Sequence, residues 1–600
     1  MSAREERTPL NSRTTSLYDY ALFRHGIEPD GRVPAGGYPL PGDPPSDALR
    51  FMEATRVLAE LLGTALDDSD PARAAATLDR RLPELGVHPN FVQHPVTQLT
   101  VTDESAARVL GRRLVRTATS AAGLGVGIHL LTRLGGPEDV PRLTALALLR
   151  GFLQPSVRAL SALGCDTDVL IALGDLLDPD DHGCLIDELA DHDDPAARQW
   201  LLDLPPRPHT GPARARHIAT AVRFPDLLEH EPVSATVLAQ AGRMLTRMAQ
   251  ETGSQAEILR YKAAVPVYEA LVRRADRLPP SLDHHAILLS LALDLSSGPP
   301  VLLDWRPGLR EELLGLLEAL LSSPERAEVL DGAHAHEDRY RAAWIRRMCR
   351  EPFERTAPAG LRIHVVERDP EIGDHVETRI LLDGRPLVPQ VFPEGLSGSP
   401  EFILGTDLLH ATPEEREVTL STAYCSEGCC GTLSVTVKRD GDHVVWHGRH
   451  QDGIGPRLPE HRFDAAAYDA EVERARTDDG WCRAARSTVR LIEAGLGERP
   501  DLLARWDIPQ SWCRTVGPYE DTVEVHFWYG PGVGRDPAGD EAAPWVCLTW
   551  RLADDGRRPE ERAAAALERI ATTDPKTYCR VTGGNPEYAR ALGLRPQDDG

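Results

Sequence analysis

The chain has 600 residues, 41% of them hydrophobic and 26% charged, with a formal net charge of −25; this suits more than one domain and excludes a wholly disordered chain. Such an acidic surface argues against nucleic-acid binding, which cations drive, and favours a basic partner or simply high solubility. Arginine supplies nearly all of the positive charge, because lysine occurs only at Lys262, Lys438 and Lys576, so Schiff-base chemistry has few candidates.

The first residues, MSAREERTPLNSRTT, form no apolar signal core. The most apolar stretches, such as Ala286–Leu295, are too short to cross a bilayer, which takes about 20 residues. Ten scattered cysteines do not make a disulfide framework for a chain of this length. A reduced, cytoplasmic protein with no membrane contact is the expectation.

Residues 1–48 read as an arm or linker, with Pro and Gly concentrated in 26–48. From 49 to 354 the apolar residues recur at helical spacing. Ser46 or Asp47 is positioned to cap a helix carrying Phe51, Val57, Leu58, Leu61 and Leu62. A second helix spans Asp70 to Leu82 before Pro83. Thr102 or Asp103 caps a third, and Gly135-Gly136 offers a left-handed stop to a fourth. Further helices are predicted at 137–149, 155–164, 169–177, 184–189 and 196–202, the last with Asp194 as cap and Pro195 at the first helical position. After an interruption at 206–215 they resume at 233–251, 254–274, 282–295, 310–321 and 337–350. Pro266 is expected to kink or divide the second of these. Short helices joined by short turns suit stacked helix pairs, none of which buries its own apolar stripe alone.

The stretches VGIHLLTRLGGPEDVPRLTALAL, SVRALSAL and HGCLIDELADHDDPAARQWLL resemble HEAT-type repeats. The resemblance covers roughly residues 100–205 and extends weakly to about 350. It implies an all-α, HEAT-like solenoid offering a curved protein-binding surface.

The pattern changes near residue 355. Residues 360–600 read as an α+β domain with mostly antiparallel strands. Alternating segments predict strands at 361–367, 376–382, 432–439, 442–448, 522–529 and 545–552. Asp383-Gly384 marks a turn, and Asp440-Gly441 fits a type I′ hairpin. Helices are predicted at 465–476, 482–495 and 559–572. Seven of the ten tryptophans fall in this half, which points to a well-developed core. SEGCCGTLSVTVKRDGDHVVW and TTDPKTYCRVTGGNPEYARALG resemble segments of actinobacterial proteins with no assigned activity.

The sharpest chemical feature is Cys425-x3-Cys429-Cys430, followed by His443, His447 and His450. Two or three of Cys425, Cys429 and Cys430, with His447 from the following strand, form a candidate zinc set. A reactive thiol pair and plain packing of small cysteines against Trp446 stay open beside it. Asp178-x-Asp180-x-His182-Gly183 partly imitates a calcium loop, but the twelfth position is Leu189 where a bidentate carboxylate is needed. Gly123, Gly125 and Gly127 lack the preceding strand of a dinucleotide-binding loop and suit close helix packing. Gly395-Leu396-Ser397-Gly398 misses the nucleophile-elbow spacing by one residue. Asp175, Asp178, Asp180, Asp181, Asp191, Asp193 and Asp194 are candidates either for an acidic ridge or for ordinary turns and helix starts. The sequence therefore predicts a protein-binding scaffold with no catalytic residues and no resident cofactor. The alternatives are an enzyme or zinc module centred on Cys425–His450 and an acidic immunity-type protein that masks a basic one.

Overall fold

The computed structural model describes residues 15–27, 31–41, 49–205, 211–250, 254–350, 353, 359–373, 375–405, 407–423, 431–449, 458–517, 520–533 and 543–594. The described chain is helical from Leu17 to Met348 and carries antiparallel sheets after Leu361. The compact units divide elsewhere, into residues 1–227 and 228–600. The helices from Ala235 to Met348 thus fold with the sheets that follow them.

In the first unit the caps are where short polar side chains stand before apolar runs. Asp70 accepts from the amides of Ala72 and Arg73, Asp103 from Ala106, and Asp194 from Ala196. Asp103, and not Thr102, is the cap residue. Ser46 and Asp47 lie outside the described residues. Gly135 and Gly136 do not form a left-handed stop: their φ angles are −67° and −142°, both accessible to any residue. The chain there extends, so that Pro137 can start a short 3-10 turn ahead of the helix Val140–Leu146.

Helices pack chiefly on near neighbours in sequence. Glu104–Thr117 lies on Ala121–Leu134, which lies on Leu153–Ala162. Gly183–Asp191 packs on Leu153–Ala162 and on Pro212–Val222. The arm residues 31–41 are tied to this helical body by backbone hydrogen bonds from Val33 to Leu176 and between Tyr38 and both Leu148 and Arg150. Gly37 has φ +88°, and a Cβ there would lie 2.8 Å from the Arg150 nitrogen. Only glycine allows that approach.

In the second unit, α1 (Ala235–Met248) packs on α2 (Leu282–Ser297), α2 packs on α3 (His336–Met348), and α3 contacts the hairpin of β1 (Leu361–Glu367) and β2 (Val376–Leu382). The predicted helix over 254–274 is broken into Glu257–Arg260 and Ala264–Val272. Pro266 sits in the first turn of the second piece, where a missing amide is tolerated.

β2 turns through Asp383 and Gly384, both with positive φ, into β3 (Arg385–Pro386). This is the type I′ pattern. A five-stranded meander follows: β4 (Gly395–Ser397), β5 (Arg416–Ala423), β6 (Thr432–Asp440), β7 (His443–Arg449) and β8 (His461–Asp464). Asp440 pairs with His443, so the turn is centred on Gly441-Asp442, one residue later than expected. Only Gly441 has positive φ there, as in type II′ and not type I′.

α4 (Ala465–Thr477) closes this core, with Trp446 edge-on to Phe463 and Tyr468, and the Tyr468 hydroxyl donating to the Leu409 carbonyl at 2.7 Å. A second antiparallel sheet comprises β9 (Gln510–Thr515), β10 (Val523–Tyr529), β11 (Val546–Leu552) and β12 (Arg580–Gly584). One face of it packs on α5 (Ala484–Glu498) and α6 (Pro559–Thr572).

The glycines of Ala121–Leu134 give a direct test of the first unit's packing. A Cβ at Gly127 would fall 2.8 Å from Leu114 Cβ and 2.9 Å from the Val115 nitrogen, whereas one at Gly125 would meet only Val92, at 3.7 Å. Gly127→Ala is expected to destabilise the fold by about 1–3 kcal/mol through overpacking. Gly125→Ala should be neutral or slightly stabilising, because it removes a helix glycine. Urea denaturation of the two variants side by side measures the difference.

Candidate functional site

Cys425, Cys429, Cys430 and His450 lie outside the described residues, so the zinc expectation meets the structure only at His447. That side chain is half-exposed on β7, with Nδ1 3.8 Å from Glu460 Oε2 at the start of the neighbouring strand. Among the described residues no group of three or more His, Cys, Asp or Glu side chains is placed to hold a metal ion.

The calcium-like segment is a capped turn. The Asp178 carboxylate accepts from the Asp180 amide, Asp181 accepts from the Gly36 amide, and the buried His182 ring meets the Gly174 carbonyl at 3.0 Å. The Gly123–Gly127 run lies inside a helix, and Gly395–Ser397 is the short strand β4.

The acidic residues of the first unit are concentrated. Between residues 151 and 203 stand twelve carboxylates against two arginines, Arg158 and Arg198, and none of the twelve is buried. Asp187 pairs with Arg214, Asp191 with His217, and Asp193 with Arg198 and Arg223. Asp166, Asp168, Asp175, Asp178 and Glu188 have no basic partner among the described residues.

Burial holds several thiols and imidazoles in their neutral forms. Desolvation pushes the Cys184 thiol up to about 11 and those of Cys349 and Cys579 to about 12, and it raises Cys513 as well. A thiol so held carries almost no thiolate near neutrality. Burial likewise lowers His129 and His285 to about 4, helped by Arg158 and Arg326 respectively.

One constellation escaped sequence reasoning, because its members sit on different strands, Glu524 and His526 on β10 and Cys547 and Thr549 on β11. On the sheet face turned away from α5 and α6, His526 Nδ1 is 2.9 Å from Thr549 Oγ1 and 3.8 Å from Cys547 Sγ. His526 Nε2 is 3.4 Å from Glu524 Oε2. The arrangement is closed to a reactant. Trp512 stacks over the imidazole at 5.0 Å, Arg514 occupies Glu524 at 2.7 Å, and Thr549 shares its hydroxyl with Thr582 at 2.6 Å.

The most developed polar structure is the seam between α1–α3 and the β1–β2 hairpin. Arg341 reaches Asp283, Asp369 and Glu371 at 3.3, 2.7 and 2.6 Å. Arg368 and Arg379 both clasp Asp294, at 3.2 and 2.9 Å, and both clasp Glu377, at 2.8 and 3.0 Å. Arg347 holds Glu367 at 2.7 Å, and the same residue's carbonyl accepts from Trp344 Nε1. Burial works to raise the Glu377 carboxyl, but Arg368 and Arg379 outweigh it and hold it down at about 2. For Asp294, 1% exposed, burial wins and the carboxyl is raised.

Beside the seam opens a cavity of about 480 Å³. Four guanidinium groups line it, from Arg347, Arg350, Arg362 and Arg474. Its apolar wall includes Leu293, Met348, Phe353, Val365 and Trp481. Glu471 engages both Arg362 and Arg474, at 2.7 and 2.8 Å. Comparison with protein-family models, with curated proteins and with solved structures finds no match to this chain.

Glu377→Gln should cost about 3–5 kcal/mol, because it leaves buried guanidinium charge uncompensated. The sign of its pH dependence follows from the depressed carboxyl. Glu377 stabilises the fold fully above the ordinary glutamate value near 4.3, and that contribution disappears as pH falls towards about 2. Stability measured from pH 7 down to the acid limit should therefore fall less steeply in Glu377→Gln than in the parent below about pH 5.

Proposed function

We propose that this is a binding protein and not a catalyst, and that its helical first unit holds a basic protein partner. The observation that supports this most is the stretch 151–203, where twelve carboxylates, none buried, stand against two arginines. Capping and pairing account for some of them, but Asp166, Asp168, Asp175 and Glu188 neither cap a helix through a hydrogen bond nor pair with a base among the described residues. Uncompensated charge of one sign steers and orients a partner of the other. The succession of helices packed on near neighbours in sequence supports reading this unit as a HEAT-like array, which presents such charge along an extended surface.

The test is capture of a stoichiometric partner by the purified full-length chain at low salt, repeated with Asp166→Lys/Asp168→Lys/Asp175→Lys. The proposal expects a basic protein that is released as salt rises and is lost with the triple variant. Capture that is indifferent to both changes, or no stoichiometric partner at any salt, would sink it.

A further inference from the structure

The cavity beside the seam is not explained by binding at the first unit. Three of its four guanidinium groups have carboxylate partners, Arg347 with Glu367 and Arg362 and Arg474 with Glu471. Arg350 does not. Its side chain makes no ion pair or hydrogen bond with any described residue, although the chain as a whole carries a net charge of −25. Gly480 makes room for it, because a Cβ there would collide with the Arg350 guanidinium.

An unsatisfied donor is buried in the same wall. Trp481 lines the cavity, is 4% exposed, and its Nε1–H has no acceptor. Buried indole N–H groups are ordinarily satisfied, because leaving one unpaired costs free energy. The wall therefore carries four arginines, one of them without an ion pair, against one carboxylate. Asp478, the carboxylate among the lining residues, already accepts from the Gly480 amide at 2.8 Å. Leu293, Met348, Phe353 and Val365 supply apolar surface, and Ser296, Ser297 and His364 supply further polar groups.

We propose that this cavity is a binding site for a small organic anion, a carboxylate or phosphate carried on an apolar ring. Arg350 meets the anionic oxygens, and the ring lies against the apolar side chains Leu293, Met348, Phe353 and Val365. A volume of about 480 Å³ is within the usual range for small-molecule sites. The planar guanidinium is the side chain best suited to a two-oxygen anion. The fold already keeps the neighbouring arginines in place through Glu367 and Glu471, so binding reorganises little. This reading stands independently of the partner proposed for the first unit.

The experiment titrates the full-length protein with phenyl phosphate, benzoate, inorganic phosphate and benzyl alcohol, by calorimetry and by tryptophan fluorescence. Saturable binding of phenyl phosphate or benzoate, tighter than inorganic phosphate and absent for benzyl alcohol, is the expected result. The tighter of the two aromatic anions identifies the acid group. Arg350→Gln removes an exposed side chain and leaves the core intact. It should weaken binding about tenfold, the loss expected for one charge-assisted hydrogen bond, while Arg350→Lys retains part of the affinity. No saturable binding of either aromatic anion at millimolar concentration overturns the proposal. So does equal binding of benzyl alcohol, or an affinity that Arg350→Gln leaves unchanged.

Discussion

The second unit depends on one constraint: guanidinium and carboxylate groups buried together between α1–α3 and the β1–β2 hairpin. Charges removed from water are tolerated only when each finds an opposite charge and enough hydrogen bonds. Arg379 shows how completely this is met. It touches Asp294 and Glu377 through two of its nitrogens, and the third reaches the Leu293 carbonyl at 3.1 Å and Ser297 Oγ at 3.3 Å. Such a seam adds little net stability over an apolar one, but it is intolerant of misplacement, because any shift strands a charge. The compact unit accordingly begins at residue 228, well before the change of secondary structure at Leu361. Helices that look from their spacing like a continuation of the amino-terminal array are held by the strands after them.

Much of the local structure could be read from the residues. β1 and β2 have the bounds that alternation predicts, and Asp103 and Asp194 cap where a short acidic side chain precedes an apolar run. The strands that escaped have physical reasons to be quiet. β5 carries a register shift between Thr419 and Ser421 that breaks its alternation. β9 is an edge strand whose outward Trp512 blurs the expected contrast between faces. β12 contains Gly583 and Gly584 and pairs through another register shift. The placement of the helical segment 235–348 was not readable, because an amphipathic stripe states that a helix is covered and not by what.

The site chemistry was less readable still. Sequence spacing draws attention to residues that are close along the chain, such as Asp178, Asp180 and His182, and these prove to be a turn satisfying its own backbone. The groups that meet in space come from distant segments: Arg350 follows α3, Val365 lies on β1, and Trp481 precedes α5. The only signal in the sequence was compositional, namely many arginines and almost no lysines.

That imbalance acquires a structural reason in the seam. A lysine ammonium is a compact point charge on a flexible stem, whereas a guanidinium is a rigid plane with five donors. Arg341 bridges Asp283, Asp369 and Glu371, carboxylates drawn from α2 and from the turn after β1. Its Nε, Nη1 and Nη2 divide these contacts between them, a spread that one compact ammonium nitrogen does not have. Once arginine is selected for such bridging, its partners become the scarce component, and almost every guanidinium near the hairpin is committed. Against that background an arginine left uncommitted at a cavity wall, beside an indole N–H with nothing to donate to, is a departure from the rule by which the rest of the unit is assembled. Arg341, Arg347, Arg368 and Arg379 are paired within the protein, so the uncommitted arginine beside them is the part of this surface open to a group from outside.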